Sequence, residues 1–341
     1  MEEKIKLGVT EEILKVIDRD AVSFDFLKKD GSVNRNAFLN TLIINYYKDY
    51  EEKEERVFKA YQDVLKDHPS IKEEEINDIC SSLYGKGEDL SLELQNEYYD
   101  EMISLKPVNE SISTISYIQT CLLRNSSLSS YFRRLFASYS KLTQDKREKI
   151  IFKPQFDLLS EAIKSRRKVF VMTSSPTEPK MKVDPFALVN SQEETHYYLL
   201  NVKDGKPGCL RLSRLKGVIL LSDRCEFKDP QVNLVLDKMM KYGPQYTYEE
   251  GEEISQVELT EKGEAIFKRL YTYRPQAFKK EGRILSFDCS YQQIMQYFIR
   301  FGEEAYIIKP LDLKMKMLDF YNKAARSYRN KTDNGKPDIK L

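Results

Sequence analysis

The chain has 341 residues, enough for two or three domains, and 41% of them are hydrophobic, enough for packed cores. Its 55 basic and 54 acidic residues leave a net charge of +1, so total charge selects no partner. Only two histidines occur and no apolar run approaches the about 18 residues of a membrane span. We therefore expect a cytoplasmic protein without a membrane segment, a metal site or another cofactor.

Motifs of several enzyme classes are absent: HExxH, GxxxxGK[ST] and GxGxxG do not occur. Glu178 and Lys180 have the ExK spacing of some metal nucleases, a short match that a chain this charged contains by chance. The five cysteines lie far apart without a CxxC pair, so we expect free thiols that act as small apolar fillers. We therefore expect a non-catalytic binding protein.

Charge is distributed unevenly along the chain. Residues 51–110 hold 7 basic and 17 acidic residues, whereas residues 111–225 hold 20 basic and 10 acidic residues. A basic segment of this kind can carry an anion-binding surface that the total charge hides.

The first 50 residues predict one strand and two helices. Residues 4–9 alternate apolar and polar side chains, as in a half-buried strand. A helix over 10–19 follows, with Thr10 as its N-cap, and a second helix runs from the Asp30-Gly31-Ser32 turn to about residue 50. The strand has no pairing partner within this segment, so we expect it to pair with the same strand of a second chain.

Strand, helix, glycine turn and helix over residues 1–50 resemble the ribbon-helix-helix family. In that family two chains pair their strands and the polar strand face enters the DNA major groove, which implies that Lys4 and Lys6 face the groove. Ser32 and Asn34, at the start of the second helix, would hold a phosphate through free N–H groups. The segment has a net charge of −1, and a dimerisation module without nucleic acid is the alternative.

Residues 51–153 predict a helical connector, which is acidic and solvated as far as residue 110. Within it, six apolar side chains recur at helical spacing and form one stripe that we expect in a core: Leu128, Tyr131, Phe132, Leu135, Phe136 and Tyr139. Arg133 and Arg134 lie beside this stripe. They contact either a phosphate or only solvent.

Residues 154–228 predict a helix over 155–166 followed by five short strands with a strong hairpin signal at Asp204-Gly205. The five strands are expected at 168–173, 180–189, 195–202, 208–212 and 218–221. Five short strands in so few residues indicate a small, strongly bent barrel.

Residues 182–189 (KVDPFALV), 196–200 (HYYLL) and 210–215 (LRLSRL) resemble the WYL domain family. This resemblance implies a Sm-type or SH3-type barrel that senses a ligand or a nucleic acid. The chain has Tyr197-Tyr198-Leu199 in place of the family's Trp-Tyr-Leu triplet, and Ser213 in place of its usual acidic residue.

The side chains of these stretches suit an anionic ligand, because guanidinium groups bind phosphate oxygens in pairs and tyrosine rings stack on bases. We predict a nucleic-acid or ligand site formed by Lys182, His196, Tyr197, Tyr198, Arg211 and Arg214. Strand alternation places His196 and Tyr198 opposite Tyr197, so one of the two sets belongs to the core. In the alternative, the two arginines form salt bridges with Asp184 or Asp223.

Residues 229–330 predict alternating strands and helices, an α+β domain that is ferredoxin-like in outline. The strands are expected at 256–260, 283–289 and 305–308, and the helices at 261–270, 292–301 and 311–328. Phe301-Gly302, Lys309-Pro310 and the closing helix resemble the C-terminal extension of WYL regulators, which implies dimerisation. Residues 331–341 predict a frayed tail.

The whole arrangement is a multidomain α+β chain: ribbon-helix-helix, helical connector, WYL barrel and C-terminal domain. Its sequence resembles the WYL accessory proteins of type VI-D CRISPR loci at residues 127–139, 147–152, 257–270, 273–275 and 297–310. This resemblance implies binding of single-stranded RNA and enhancement of an RNA-targeting CRISPR effector protein.

Three functional hypotheses stay open. The first is a homodimeric, non-catalytic regulator that binds single-stranded RNA or DNA through the barrel and the helix of Arg133 and Arg134. The second is a transcriptional regulator whose ribbon reads duplex DNA while the WYL pocket senses a ligand. The third is a scaffold that contacts a protein effector through the acidic helices of residues 51–110.

Overall fold

A computed structural model of the chain describes residues 4–68, 70–83, 101–108, 110–124, 126–191, 195–244, 246–247, 252–271 and 273–333. These residues form helices and three sheets, as expected for a multidomain α+β protein. They divide into two units: one of Met1–Ala162, Phe170–Met181 and Arg211–Leu220, and one of Ile163–Val169, Lys182–Leu210 and Leu221–Leu341. No helix within the described ranges is both long and apolar enough to cross a membrane.

The first unit begins with strand β1 (Ile5–Val9) and helix α1 (Glu11–Ser23), with Thr10 as the N-cap, as predicted. β1 pairs antiparallel with β2 (Glu101–Leu105) of the same chain. The strand was expected to pair with the same strand of a second chain, but this edge pairs with residues 101–105 of its own chain. Its partner comes from a stretch predicted as helical connector, where Ile103 and Leu105 are buried and their neighbours are exposed.

Helix α2 (Arg35–Lys66) runs continuously through residue 50, the predicted end of the second helix. Its N-cap is Asn34, whose side-chain oxygen accepts a hydrogen bond from the Ala37 N–H at 3.2 Å. Residues 73–83 form a further helix, α3. Residues 84–100 of the predicted connector lie outside the described residues.

Helices α4 (Glu110–Cys121), α5 (Leu128–Ser140), α6 (Gln144–Ile151) and α7 (Lys153–Ser165) follow β2. The predicted stripe on α5 is confirmed as core, because all its members except the partly buried Leu128 are fully buried. Its rings pack against those of α2: Tyr131 meets Tyr50 edge-on with centroids 5.5 Å apart. Such offset ring pairs add to the free energy of burial.

A five-stranded sheet has the strand order β6-β5-β4-β3-β7. Its strands are β3 (Arg167–Thr173), β4 (Lys180–Ser191), β5 (His196–Lys203), β6 (Lys206–Arg211) and β7 (Leu215–Arg224). All five predicted segments are thus strands. Asp204 and Gly205 form the predicted hairpin turn, with φ of 50° and 75°, and a 3-10 turn (Leu212–Arg214) joins β6 to β7.

The rest of the second unit consists of α8 (Pro230–Tyr242), β8 (Ser255–Leu259), α9 (Glu261–Arg269), β9 (Lys279–Glu281), β10 (Ile284–Phe287), α10 (Tyr291–Phe298), a 3-10 segment (Ile299–Glu304), β11 (Ala305–Lys309) and α11 (Leu311–Asp333). The strand order is β11-β8-β10-β9, and every neighbouring pair is antiparallel. Phe287, Phe298 and Phe301 lie in its core. α11 extends into the predicted tail as far as Asp333, and residues 334–341 lie outside the described residues.

Candidate nucleic-acid interface

Strand β5 holds three residues of the predicted WYL site, but most of their surface is buried. His196 and Tyr198 are each 6% exposed, while Tyr197 on the opposite face is partly exposed, as strand alternation predicts. A buried phenol ring cannot stack on a base. Of the two predicted tyrosines, only Tyr197 therefore has an accessible ring.

Lys182, on β4, forms an ion pair with Asp223 in which both side chains are about half exposed. The hydrogen bond from Lys182 holds the pKa of Asp223 below its ordinary value. Asp184 accepts a hydrogen bond from Lys168 at 3.0 Å, which raises the pKa of that lysine. Asp184 and Asp223, the alternative salt-bridge partners of the two arginines, are therefore each paired with a lysine.

Arg211 directly precedes the 3-10 turn and Arg214 is its last residue, and the two side chains have different surroundings. The Nη2 atom of Arg211 donates to the carbonyl oxygen of Ser23 at 3.2 Å and to its Oγ at 3.4 Å. Ser23 is the last residue of α1, so Arg211 stabilises the negative end of a helix dipole. The side chain of Arg214 is exposed, as is that of Lys216. Neither cation has an ion-pair partner within the described part of the chain.

Arg133 and Arg134, predicted as a phosphate contact or a solvated rim, are both partly buried on α5. The Nε atom of Arg133 donates to the Gly8 carbonyl of β1 at 3.0 Å. Arg134 donates to the hydroxyl oxygens of Ser130 at 3.0 Å and Ser126 at 3.1 Å. The guanidinium of Arg133 thus joins α5 to β1, whereas these two hydrogen bonds of Arg134 lie within α5 and the residues just before it.

The predicted phosphate cradle at Ser32 and Asn34 required free backbone N–H groups, and these groups are already bonded. The Ser32 N–H donates to Oδ1 of Asp30 at 2.9 Å, and the Asn34 N–H donates to the Phe26 carbonyl at 2.8 Å. The Ser32 hydroxyl also donates to Asp30, which lowers the pKa of that carboxyl. The expectation of free N–H groups here is wrong.

Lys4 and Lys6 are exposed, on the polar side of the two-stranded ribbon formed by β1 and β2. In this ribbon Lys6 stands opposite Ser104, and Lys106 directly follows β2 and is also exposed. We call Lys4, Lys6 and Lys106 the ribbon face. Lys106 was not among the predicted site residues, although apolar and polar residues alternate over 103–106 as they do in β1.

The second unit contains a cavity of about 550 Å³ between β6, α8 and the residues after α8. Its wall is mainly apolar, with Val232, Val235, Met239 and Tyr246, and Lys206 also lines it. No cluster of histidine, cysteine and carboxylate side chains in the described ranges could hold a metal ion. Glu178 of the ExK match instead accepts a hydrogen bond at its carbonyl from the Thr173 hydroxyl at 2.8 Å.

Comparison with known proteins shows similarity at the level of fold. A solved structure described as a CRISPR Cas-related protein superposes with a TM-score of 0.63 and 19% sequence identity, over 97% of this chain and 95% of that chain. Proteasome accessory factor B/C (PafBC) of Arthrobacter aurescens aligns with a TM-score of 0.23 and 14% identity, over 65% of this chain and 36% of that chain. No protein-family model and no curated protein matches the sequence.

Proposed function

We propose that the protein is a non-catalytic, nucleic-acid-binding accessory protein of a CRISPR system that binds single-stranded RNA and enhances an RNA-targeting effector. The fold shared with a CRISPR Cas-related protein over 97% of the chain supports the CRISPR association. Binding of a polyanion rests on one observation: the first unit has exposed cations, on the ribbon face and at Arg214 and Lys216, that no described carboxylate neutralises.

We also propose the finer domain assignments. The strand order β6-β5-β4-β3-β7, with a 3-10 turn before the last strand, supports a WYL barrel of the SH3 or Sm type. The order β11-β8-β10-β9, in a strand–helix–strand–strand–helix–strand chain, supports a ferredoxin-like C-terminal domain. β1, α1 and α2 retain the order of a ribbon-helix-helix module in which β2 takes the place of the second chain's strand.

Homodimerisation is part of the proposal, and α11 offers the surface for it. Leu311, Met315 and Leu318 are 49–69% exposed and recur at i, i+4 and i+7, so they form one apolar stripe on that helix. We expect sedimentation equilibrium to report a dimer for the native chain and a monomer for Met315→Glu plus Leu318→Glu. A monomeric native chain would contradict dimerisation.

The test of RNA binding is fluorescence anisotropy with single-stranded RNA, single-stranded DNA and duplex DNA at two salt concentrations. Replacing Arg214 and Lys216 with alanine should weaken RNA binding and lower the salt-dependence slope by about 1.4, about 0.7 per lost contact. The matched control, Lys59→Ala plus Lys66→Ala, removes two exposed lysines from the acidic helix α2 and should change neither quantity. Absence of any binding at low salt contradicts the proposal.

The ribbon supports a second candidate, a regulator that reads duplex DNA, because a two-stranded ribbon fits the major groove. Lys4→Ala plus Lys6→Ala should then abolish duplex binding and leave single-strand binding intact. A scaffold that binds a protein through acidic helices is the third candidate. Co-elution with an effector at high salt, without affinity for any nucleic acid, would favour it.

A further inference from the structure

One segment of the second unit combines exposed aromatic rings with a surplus of positive charge. Residues 268–283 contain six basic residues and one acidic residue, Glu281. Within this segment, Tyr271 is 53% exposed, Tyr273 56% and Phe278 45%. We call these three rings, together with Lys268 and Arg269 at the end of α9, the α9–β9 surface.

The backbone beneath the rings is anchored to the core of the second unit. The hydroxyl of Tyr297 donates to the Leu270 carbonyl. Arg274 donates to the Phe267 carbonyl at 2.9 Å, and its guanidinium lies over the Phe267 ring at 5.1 Å from the centroid. Pro275 is buried. The exposed rings thus project from a supported segment, which reduces the entropy cost of binding a partner.

Tyr273 has a φ of 61°, in the left-handed region that costs free energy for any residue with a Cβ atom. The turn is closed by the Arg274 N–H, which donates to the Tyr271 carbonyl at 3.1 Å. This backbone conformation leaves both tyrosine rings more than half exposed. More than half of the surface of each tyrosine is therefore accessible to a partner.

The charges of the segment differ in availability. Lys280 is paired with Glu264 at 2.8 Å, and Lys279 with Glu281 at 2.9 Å. Lys268 and Arg269 are exposed, and no ion pair engages either of them among the residues that the structure describes. Two cations without an ion pair in the described part of the chain therefore stand two and three positions before Tyr271 in the sequence.

We propose that the α9–β9 surface binds single-stranded nucleic acid, with unpaired bases stacked on Tyr271, Tyr273 and Phe278. Lys268 and Arg269 would pair with the phosphates. Stacking requires bases that are not enclosed in a duplex, which favours a single strand over duplex DNA. This inference rests on the proposed function and locates a binding surface in the second unit.

The test is anisotropy with a fluorescein-labelled oligouridylate of about 20 nucleotides and a duplex of matched length. Tyr271→Ala plus Tyr273→Ala should raise the dissociation constant for the single strand at least about fivefold, the low end of one base–ring stack. Tyr271→Phe plus Tyr273→Phe retains the rings and should stay within about twofold of the native chain. Tyr61→Ala, which removes an exposed tyrosine from the acidic helix α2, is the matched control and should have no effect.

The charge contribution is tested separately. Lys268→Ala plus Arg269→Ala should lower the salt-dependence slope by about 1.4, whereas the tyrosine variants should leave the slope unchanged. Photo-crosslinking of the native protein to a 4-thiouridine oligonucleotide should label peptides that contain Tyr271 or Tyr273. This measurement decides the question even where a variant fails to fold.

The outcomes separate this inference from the proposed function. Suppose that the native chain binds single strands and that Arg214→Ala plus Lys216→Ala weakens this binding. If the α9–β9 variants then bind as the native chain does, and no crosslinked peptide contains Tyr271 or Tyr273, the inference is overturned and the proposed function stands. If the native chain binds no single strand at low salt, both are overturned. If the α9–β9 variants lose binding to an acidic protein while their affinity for the oligonucleotide stays unchanged, the surface binds that protein and the inference is overturned.

Discussion

Replacing Arg211 with alanine tests whether this arginine stabilises the fold or binds RNA. The guanidinium of Arg211 donates to the Ser23 carbonyl at 3.2 Å and to its hydroxyl at 3.4 Å, at the C-terminal end of α1. Hydrogen bonds from a charged group contribute about 1.5–3 kcal/mol. Both distances are long, so we expect the free energy of unfolding to fall by about 1.5 kcal/mol, at the low end of that range.

Urea unfolding followed by far-ultraviolet circular dichroism measures this loss. With a slope of about 1–3 kcal/mol per molar urea, the midpoint should fall by about 0.5–1.5 M. Arg214→Ala is the matched variant, because its side chain is exposed. It should change stability by less than about 0.5 kcal/mol and should weaken RNA binding.

RNA binding should distinguish the two arginines as well. Arg211→Ala should leave the RNA dissociation constant within about twofold of the native value, since its guanidinium already has a partner. If Arg211→Ala instead weakens RNA binding as much as Arg214→Ala, with unchanged stability, the helix-end contact is not what holds Arg211.

Three further predictions concern stability and thiol chemistry. Arg147→Met removes two hydrogen bonds, of 2.5 and 3.1 Å, from the buried carboxylate of Asp20, so the free energy of unfolding measured in urea should fall by about 3–5 kcal/mol. The double variant Arg147→Met plus Asp20→Leu should lose less stability than the sum of the two single losses, and strict additivity would contradict this. Gly263→Ala places a Cβ atom 2.1 Å from the Glu304 carbonyl oxygen and should cost about 1–3 kcal/mol in the same assay, whereas an unchanged midpoint would show that the contact relaxes freely. Burial, together with the nearby carboxylate of Asp184, raises the pKa of the Cys225 thiol to about 11. The alkylation rate of Cys225, followed by mass spectrometry, should therefore rise about tenfold per pH unit between about pH 8 and pH 10, and a plateau within that range would contradict the raised pKa.

The sequence alone determined the elements that depend on local patterns. The apolar stripe of α5 follows from helical spacing, and all five strands of the larger sheet follow from alternation and turn residues. Asp204-Gly205 specifies a two-residue hairpin turn, because both positions need positive φ. These patterns involve residues that are close in the chain, so the sequence carries the whole signal.

Tertiary structure alone decided which distant groups meet. The partner of β1 is β2, because a strand edge pairs with whatever complementary edge the helices bring beside it. The end of α1 likewise engages Arg211, so a residue type suited to phosphate holds a backbone carbonyl instead. Charge and residue type define what a side chain can bind, but its availability depends on contacts made across the fold. The exposed cations and rings therefore became identifiable only once the buried and paired ones were known.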